Sequence, residues 1–137
     1  MTIAPRIARA AALLLLAQTA ACSPLFEREI RTRNRAEEFL AVTDVATDDP
    51  RYSALSSYAR AADNMLTSSA PVAQLAQDVL LRQTCFWSMF GRMGADRERT
   101  LVATIADDQA RLTRWRQFIV VASSMPATIR PEDVCAF

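Results

Sequence analysis

Glycine is nearly absent from this chain: Gly91 and Gly94 are its 2 glycines in 137 residues. Tight hairpin turns and bulges need backbone with positive φ, which glycine adopts without steric penalty. A sheet-rich or turn-rich fold is therefore disfavoured from the start. Ala, Leu, Arg, Gln, Glu and Met are plentiful instead, and all are good helix formers. Apolar residues make up 51% of the chain, enough for a packed core rather than disorder. The length suits one domain and not two.

Helical periodicity recurs in four blocks. Leu25 to Val45 reads as a first helix with a polar start. There Glu27 precedes Arg31, and Glu29 precedes Arg33, in the favourable order for surface pairs. Asp49 before Pro50 is a candidate N-cap followed by a proline suited to the first helical position. The second helix should run from Pro50 to about Thr67. Tyr52, Leu55, Tyr58, Ala62, Met65 and Leu66 form its apolar face, and Arg60 and Asp63 point away from it. Ser68 to Pro71 repeats the capping logic and opens a third helix. Its Val72, Leu75, Val79, Phe86 and Phe90 make the densest apolar face of the chain, and Gly91 and Gly94 should end it. A single fourth helix is expected from near Asp96 to about Ser124. Leu101, Ile105, Leu112, Trp115 and Ile119 lie close to a heptad seam that Asp108 interrupts. The run from Gln117 to Ala122 is apolar on every side, so that end should be fully buried or covered by a partner. From Pro126 the chain reads as irregular. The expected fold is all-α: a small four-helix up-down bundle behind a cleaved N-terminal signal, with an irregular C-terminal tail.

The first residues read as an address. Arg6 and Arg9 precede an apolar stretch centred on Leu13 to Leu16, and the small residues Thr19, Ala20 and Ala21 follow. This is the three-part pattern of a secretory signal over residues 1–21. Its apolar core is far shorter than the roughly 20 residues that cross a bilayer. Cys22 comes next, so Thr19-Ala20-Ala21-Cys22 resembles the lipobox of bacterial lipoproteins. Thr19 departs from that pattern, in which a branched aliphatic residue is usual. The resemblance implies cleavage before Cys22 and lipid on that cysteine, with Ser23 favouring the periplasmic face of the outer membrane. The alternative is ordinary cleavage after Ala21, leaving a free thiol on a soluble periplasmic protein. The mature part, residues 22–137, reads as one helical domain, with 22–48 a tether and first helix and 126–137 the tail.

Three cysteines make an odd count, which is awkward in an oxidising compartment. Assigning Cys22 to lipid leaves Cys85 and Cys135 as one possible disulfide. In the loop-entropy account, closing a loop of that size contributes roughly 4 kcal/mol.

Charge and residue types narrow the chemistry. All 16 basic residues are Arg, and discounting Arg6 and Arg9 turns the formal +1 into about −1. A near-neutral chain has no bulk electrostatic reason to seek nucleic acid. Histidine is absent, which removes histidine-based triads, dyads and metal ligation. Neither a nucleophile elbow nor a phosphate-cradling glycine loop is present. Glu37-Glu38 and Asp107-Asp108 are sequence neighbours whose side chains diverge on a helix, so neither forms an acid–base couple locally.

Three further groupings invite a reading. Cys85, Met89 and Met93 would place three sulfurs on one helical face, a weak alternative as a Cu(I) site, with core filling the simpler role. Arg28, Arg31, Arg33 and Arg35 could meet phosphate headgroups near the anchor, but Glu27, Glu29, Glu37 and Glu38 nearly cancel them. Arg111, Arg114 and Arg116 flank Trp115 beside Phe118, a set expected to border a protein contact, where Trp and Arg are enriched. The function that follows is a non-enzymatic envelope lipoprotein, with no cofactor or metal, that binds or stabilises another envelope protein. A carrier holding an apolar ligand among Phe86, Phe90, Trp115 and Phe118 is the alternative, and an unusual hydrolase with two convergent carboxylates is a third.

Overall fold

Helix formers without glycine give a helical chain. The structure is a computed structural model that describes residues 35–125 together with Arg130 and Cys135. Five α-helices occur among them: α1 (Arg35–Val42), α2 (Tyr52–Thr67), α3 (Val72–Phe90), α4 (Gly94–Ile105) and α5 (Gln109–Ser123). One 3₁₀ turn, Gly91–Met93, joins α3 to α4, and the described residues contain no strand. They form a small all-α bundle. The segment read as a signal, Cys22, the arginines before Arg35 and the polar residues expected to start the first helix lie outside the described residues.

The core follows the apolar stripes. Leu55, Tyr58, Ala62 and Met65 of α2 are buried against Val72, Ala76, Val79, Phe86 and Phe90 of α3. α2 packs most extensively on α3, α5 on α3, and α1 on α2 and α4. Phe39, Leu101, Ile105 and Phe118 complete the interior. Each large apolar side chain removed from water in this way stabilises the fold by about 1.5–3 kcal/mol before entropy is counted.

The helix ends show the local physics. The Asp49 carboxylate accepts the Arg51 N–H at 2.9 Å and holds the Arg51 guanidinium at 2.8 Å. Asp49 thus bonds within the turn before the helix and is not its cap: the N-cap is Arg51, without a side-chain capping bond, and regular helix begins at Tyr52 rather than at Pro50. The Arg51 bonds, side chain first, hold the Asp49 carboxyl at about 2, below the usual carboxylate value. Ser68 does not cap α3: its hydroxyl accepts the Ala70 N–H inside the turn, and no side chain caps the start of α3.

The two glycines do different work. Gly91 has φ 55°, where L side chains are strained, and it ends α3. Gly94, expected to terminate a helix, instead begins α4. A Cβ there would lie 3.2 Å from the Phe86 and Trp87 rings, a tight contact that would require those rings to move by a few tenths of an ångström.

The single fourth helix expected over 96–124 is two helices. Regular structure stops after Ile105, Asp108 takes an extended conformation, and its carboxylate accepts the Arg111 N–H at 2.8 Å. That backbone bond is also the main reason the Asp108 carboxyl is held below its ordinary value. The seam interruption is thus a helix start. Arg35 reaches across from α1 to pair with both Asp107 and Asp108, fastening the elbow.

Cys85 is fully buried in α3, and its sulfur is bonded to that of Cys135, with Cα atoms 5.3 Å apart. The bond ties a residue of the tail to the third helix, the connection the cysteine count allows.

Candidate functional site

Asp63 and Arg111 form the most buried ion pair described. The reading that Asp63 faces away from the core is incorrect: Asp63 is 5% exposed and Arg111 equally so. Arg111 donates from Nη1 to Asp63 Oδ1 at 2.7 Å and to the Ile105 carbonyl at 3.0 Å. The other Asp63 oxygen accepts the Ala36 N–H at 3.2 Å. One pair therefore satisfies the start of α1 and the end of α4 while joining α2 to α5. Backbone groups at helix ends have no partner within the helix, which is why the interior tolerates this charge pair here.

Arg114 plays a related part. Its guanidinium donates to the Met65 carbonyl at 2.8 Å and the Ala70 carbonyl at 2.8 Å, closing the C-terminal end of α2 and the following turn. A cation suits that end of a helix. Of the five residues expected to border a contact, Arg111, Trp115 and Phe118 are thus interior and Arg114 is half-buried. Arg116 alone is exposed. The outward residues of that helix are instead Ile119, 52% exposed, and Val120, 69% exposed. The apolar run at its end is therefore split: Phe118 is buried and Val121 and Ala122 pack against the core, while Ile119 and Val120 are exposed and, among the described residues, uncovered.

The sulfur face does not assemble. The Cys85 sulfur is in the disulfide, so it offers no thiolate. α3 ends at Phe90, which takes Met93 off its face into the 3₁₀ turn, half exposed, while Met89 packs against the core. The adjacent carboxylates do not converge either: Glu37 pairs with Arg60 at 2.8 Å, and Asp107 and Asp108 meet Arg35.

The aromatic residues considered as a ligand lining are packed on one another. Phe86 and Phe90 have ring centroids 4.9 Å apart, Trp115 and Phe118 5.0 Å, and all four are buried. Arg51 and Arg97 flank the Phe90 ring at 5.1 and 5.4 Å. Arg97 also holds Asp44 at 2.7 Å, pinning the α1–α2 connection to α4.

A surface cleft of about 540 Å³ lies among α3, α4 and α5. Trp87, Val102, Trp115 and Ile119 give it apolar walls, and Glu98 is its acidic group. The Glu98 Oε2 atom accepts three hydrogen bonds: from Tyr58 Oη at 2.9 Å, Gln83 Nε2 at 3.1 Å and Trp87 Nε1 at 3.1 Å. Gln83 also donates to the Tyr58 oxygen at 3.1 Å. Burial, then the Glu98 charge, push the Tyr58 phenol far above its ordinary value, so the hydroxyl keeps its proton and remains a donor. Every donor on Glu98 is neutral. Arg99, its sequence neighbour, pairs with Asp96 at 3.0 Å instead. The carboxylate is consequently fixed in position without being neutralised. Sequence inspection misses Glu98 because it sits in the strongly polar run from Asp96 to Thr100, which looks like an ordinary solvated face. A second, smaller cleft of about 400 Å³ lies beside Phe39, Val42, Asp44 and Arg97.

No family model matches the chain, and comparison with the curated proteins and with the solved structures found no match.

Proposed function

We propose that this chain is a non-enzymatic bacterial envelope lipoprotein, anchored through lipid on Cys22 at the periplasmic face of the outer membrane, whose helical bundle binds or stabilises another envelope protein. The observation that carries the reading is the contrast between inside and outside. The interior aromatics fill the space between the helices, while Trp87, Ile119, Val120, Met93 and Val42 remain outside. A filled interior argues for contact at the surface rather than carriage of a ligand within, and of these exposed side chains Trp87 and Ile119 share one cleft, the kind of apolar grouping that marks such contact. The bond between Cys85 and Cys135 supports an oxidising compartment and leaves Cys22 as the cysteine available for lipid. No helix among the described residues is long and apolar enough to cross a membrane, and a lipid on Cys22 would supply the attachment.

Native mass spectrometry of the full chain, gently extracted from its own membranes without reductant, tests the proposal. The expected species starts at Cys22, carries acyl chains, lacks two hydrogens and retains a different envelope subunit. An unacylated chain would sink the anchor. An acylated chain that retains no other protein under conditions preserving known envelope complexes would sink the adapter role.

A further inference from the structure

We infer that the face formed by α3, α4 and α5 receives a second copy of this chain, related by a two-fold axis, with Arg116 of each copy seated on Glu98 of the other. The inference rests on reading this face as an interaction surface, and it assigns to this face a second copy of the chain, so that a different envelope protein would bind elsewhere on the bundle.

Self-complementarity is the requirement for a two-fold contact: one patch must carry both the feature and its counterpart. This face does. Its cleft presents Glu98, half-buried between apolar walls, with its bonds from Tyr58, Gln83 and Trp87 all neutral; Arg99, which also lines the cleft, pairs with Asp96 at 3.0 Å, and no arginine among the described residues pairs with Glu98. Such a group is set in place for an external cation. The neighbouring ridge, the outer side of α5, presents Ile119 and Val120, and helical spacing places Arg116 between them around the helix. Arg116 is exposed and pairs with no acid among the described residues. An α5 ridge laid into the facing cleft would cover Ile119 and Val120 and bring each Arg116 to a Glu98, and the symmetry does this twice. Ala95 and Ala103, both exposed at the cleft, leave room for a neighbouring helix to approach. The α5 helix is only about 22 Å long at 1.5 Å per residue, so the contact belongs to the small, weakly associating class.

Sedimentation equilibrium of the full chain in mild detergent, from about 1 to 100 µM, reads the association directly. The expected result is a monomer–dimer equilibrium within that range, weakened at least about tenfold by R116E, which sets a like charge against Glu98. V120E, on the same exposed ridge, gives an independent break. Both positions are on the helix surface, and unchanged thermal unfolding of each variant verifies the fold. A chain that stays monomeric throughout overturns the inference. So does a dimer indifferent to both substitutions, or a different protein bound to this face and released by R116E. That last outcome would leave the adapter proposal standing. A charge-sensitive dimer with unacylated Cys22 would do the reverse, keeping the self-association and removing the anchor.

Discussion

Asp63 and Glu98 are two carboxylates on helices of one small bundle, and they are treated in opposite ways. Asp63 lies in the sealed junction of α1, α2, α4 and α5, where Arg111 neutralises it at 2.7 Å. Glu98 lies at the open cleft of α3, α4 and α5, where three neutral donors hold one oxygen and no arginine among the described residues meets it. The difference follows from what surrounds each. An ionised carboxylate away from water needs a countercharge, because neutral hydrogen bonds do not offset its desolvation. At a cleft, water solvates the charge, and neutral donors serve to aim it. The first arrangement maintains the fold. The second leaves a charge directed outward.

Substitutions sort these regions by the size of their effects. Replacing Arg111 with Ala should be the most damaging, lowering stability by about 3–5 kcal/mol by denaturant unfolding, because Asp63 is left charged and buried. A loss under about 1 kcal/mol would mean the junction admits water, and the contrast with Glu98 would collapse. Cys135→Ser belongs to the same sealed side, since Cys85 is fully buried. Opening the bond, whose ends are 50 residues apart, should cost about 4 kcal/mol in the loop-entropy account. Thermal unfolding that matches the parent's would count against the disulfide.

The open side should respond less. Tyr58→Phe removes a donor from Glu98 and should lower stability by about 1–2 kcal/mol, with Gln83 and Trp87 still in place. Glu98→Gln keeps an acceptor oxygen for the same three donors, so a change within about 1 kcal/mol is expected. If that loss instead rivalled the one from Arg111→Ala, the carboxylate charge would be holding the fold together, and its outward role would fail.

Acid titration of unfolding gives the finest comparison. Asp49 has a depressed carboxyl, at about 2, because Arg51 bonds to it. Its contribution is present above the ordinary carboxylate value near 4 and is lost as pH falls toward 2. Asp49→Asn should therefore flatten the fall in stability between those limits. An unchanged acid limb would show that Arg51 does not hold Asp49 in solution.

Much of this architecture is legible residue by residue. The stripe Leu55, Tyr58, Ala62, Met65 and Leu66 identifies both a helix and its inner face, and Val72, Val79, Phe86 and Phe90 do the same for α3, because a 3.6-residue period is a local property of the chain. Asp49 at its turn and Gly91 at a helix end are local too. The break at Asp107-Asp108 was visible as a flaw in the seam. The division itself is made locally, by Asp108 capping the next helix, but the Arg35 pairs that fasten the elbow come from another element.

Sequence by itself therefore determined an all-α chain and the apolar faces that turn inward. Tertiary structure alone decided which charges are interior and which are presented. Asp63, between Ala62 and Asn64, has the local signature of a solvated residue, and its partner lies 48 positions away. Trp115, on the apolar seam, reads as core from the sequence and is buried, but that Arg111 beside it is interior too appears only when α5 docks. Glu98 becomes a defined feature only when Tyr58, Gln83 and Trp87 converge from two other helices. Periodicity reports on a helix relative to its own axis, whereas the burial of a charge depends on which other helices arrive beside it.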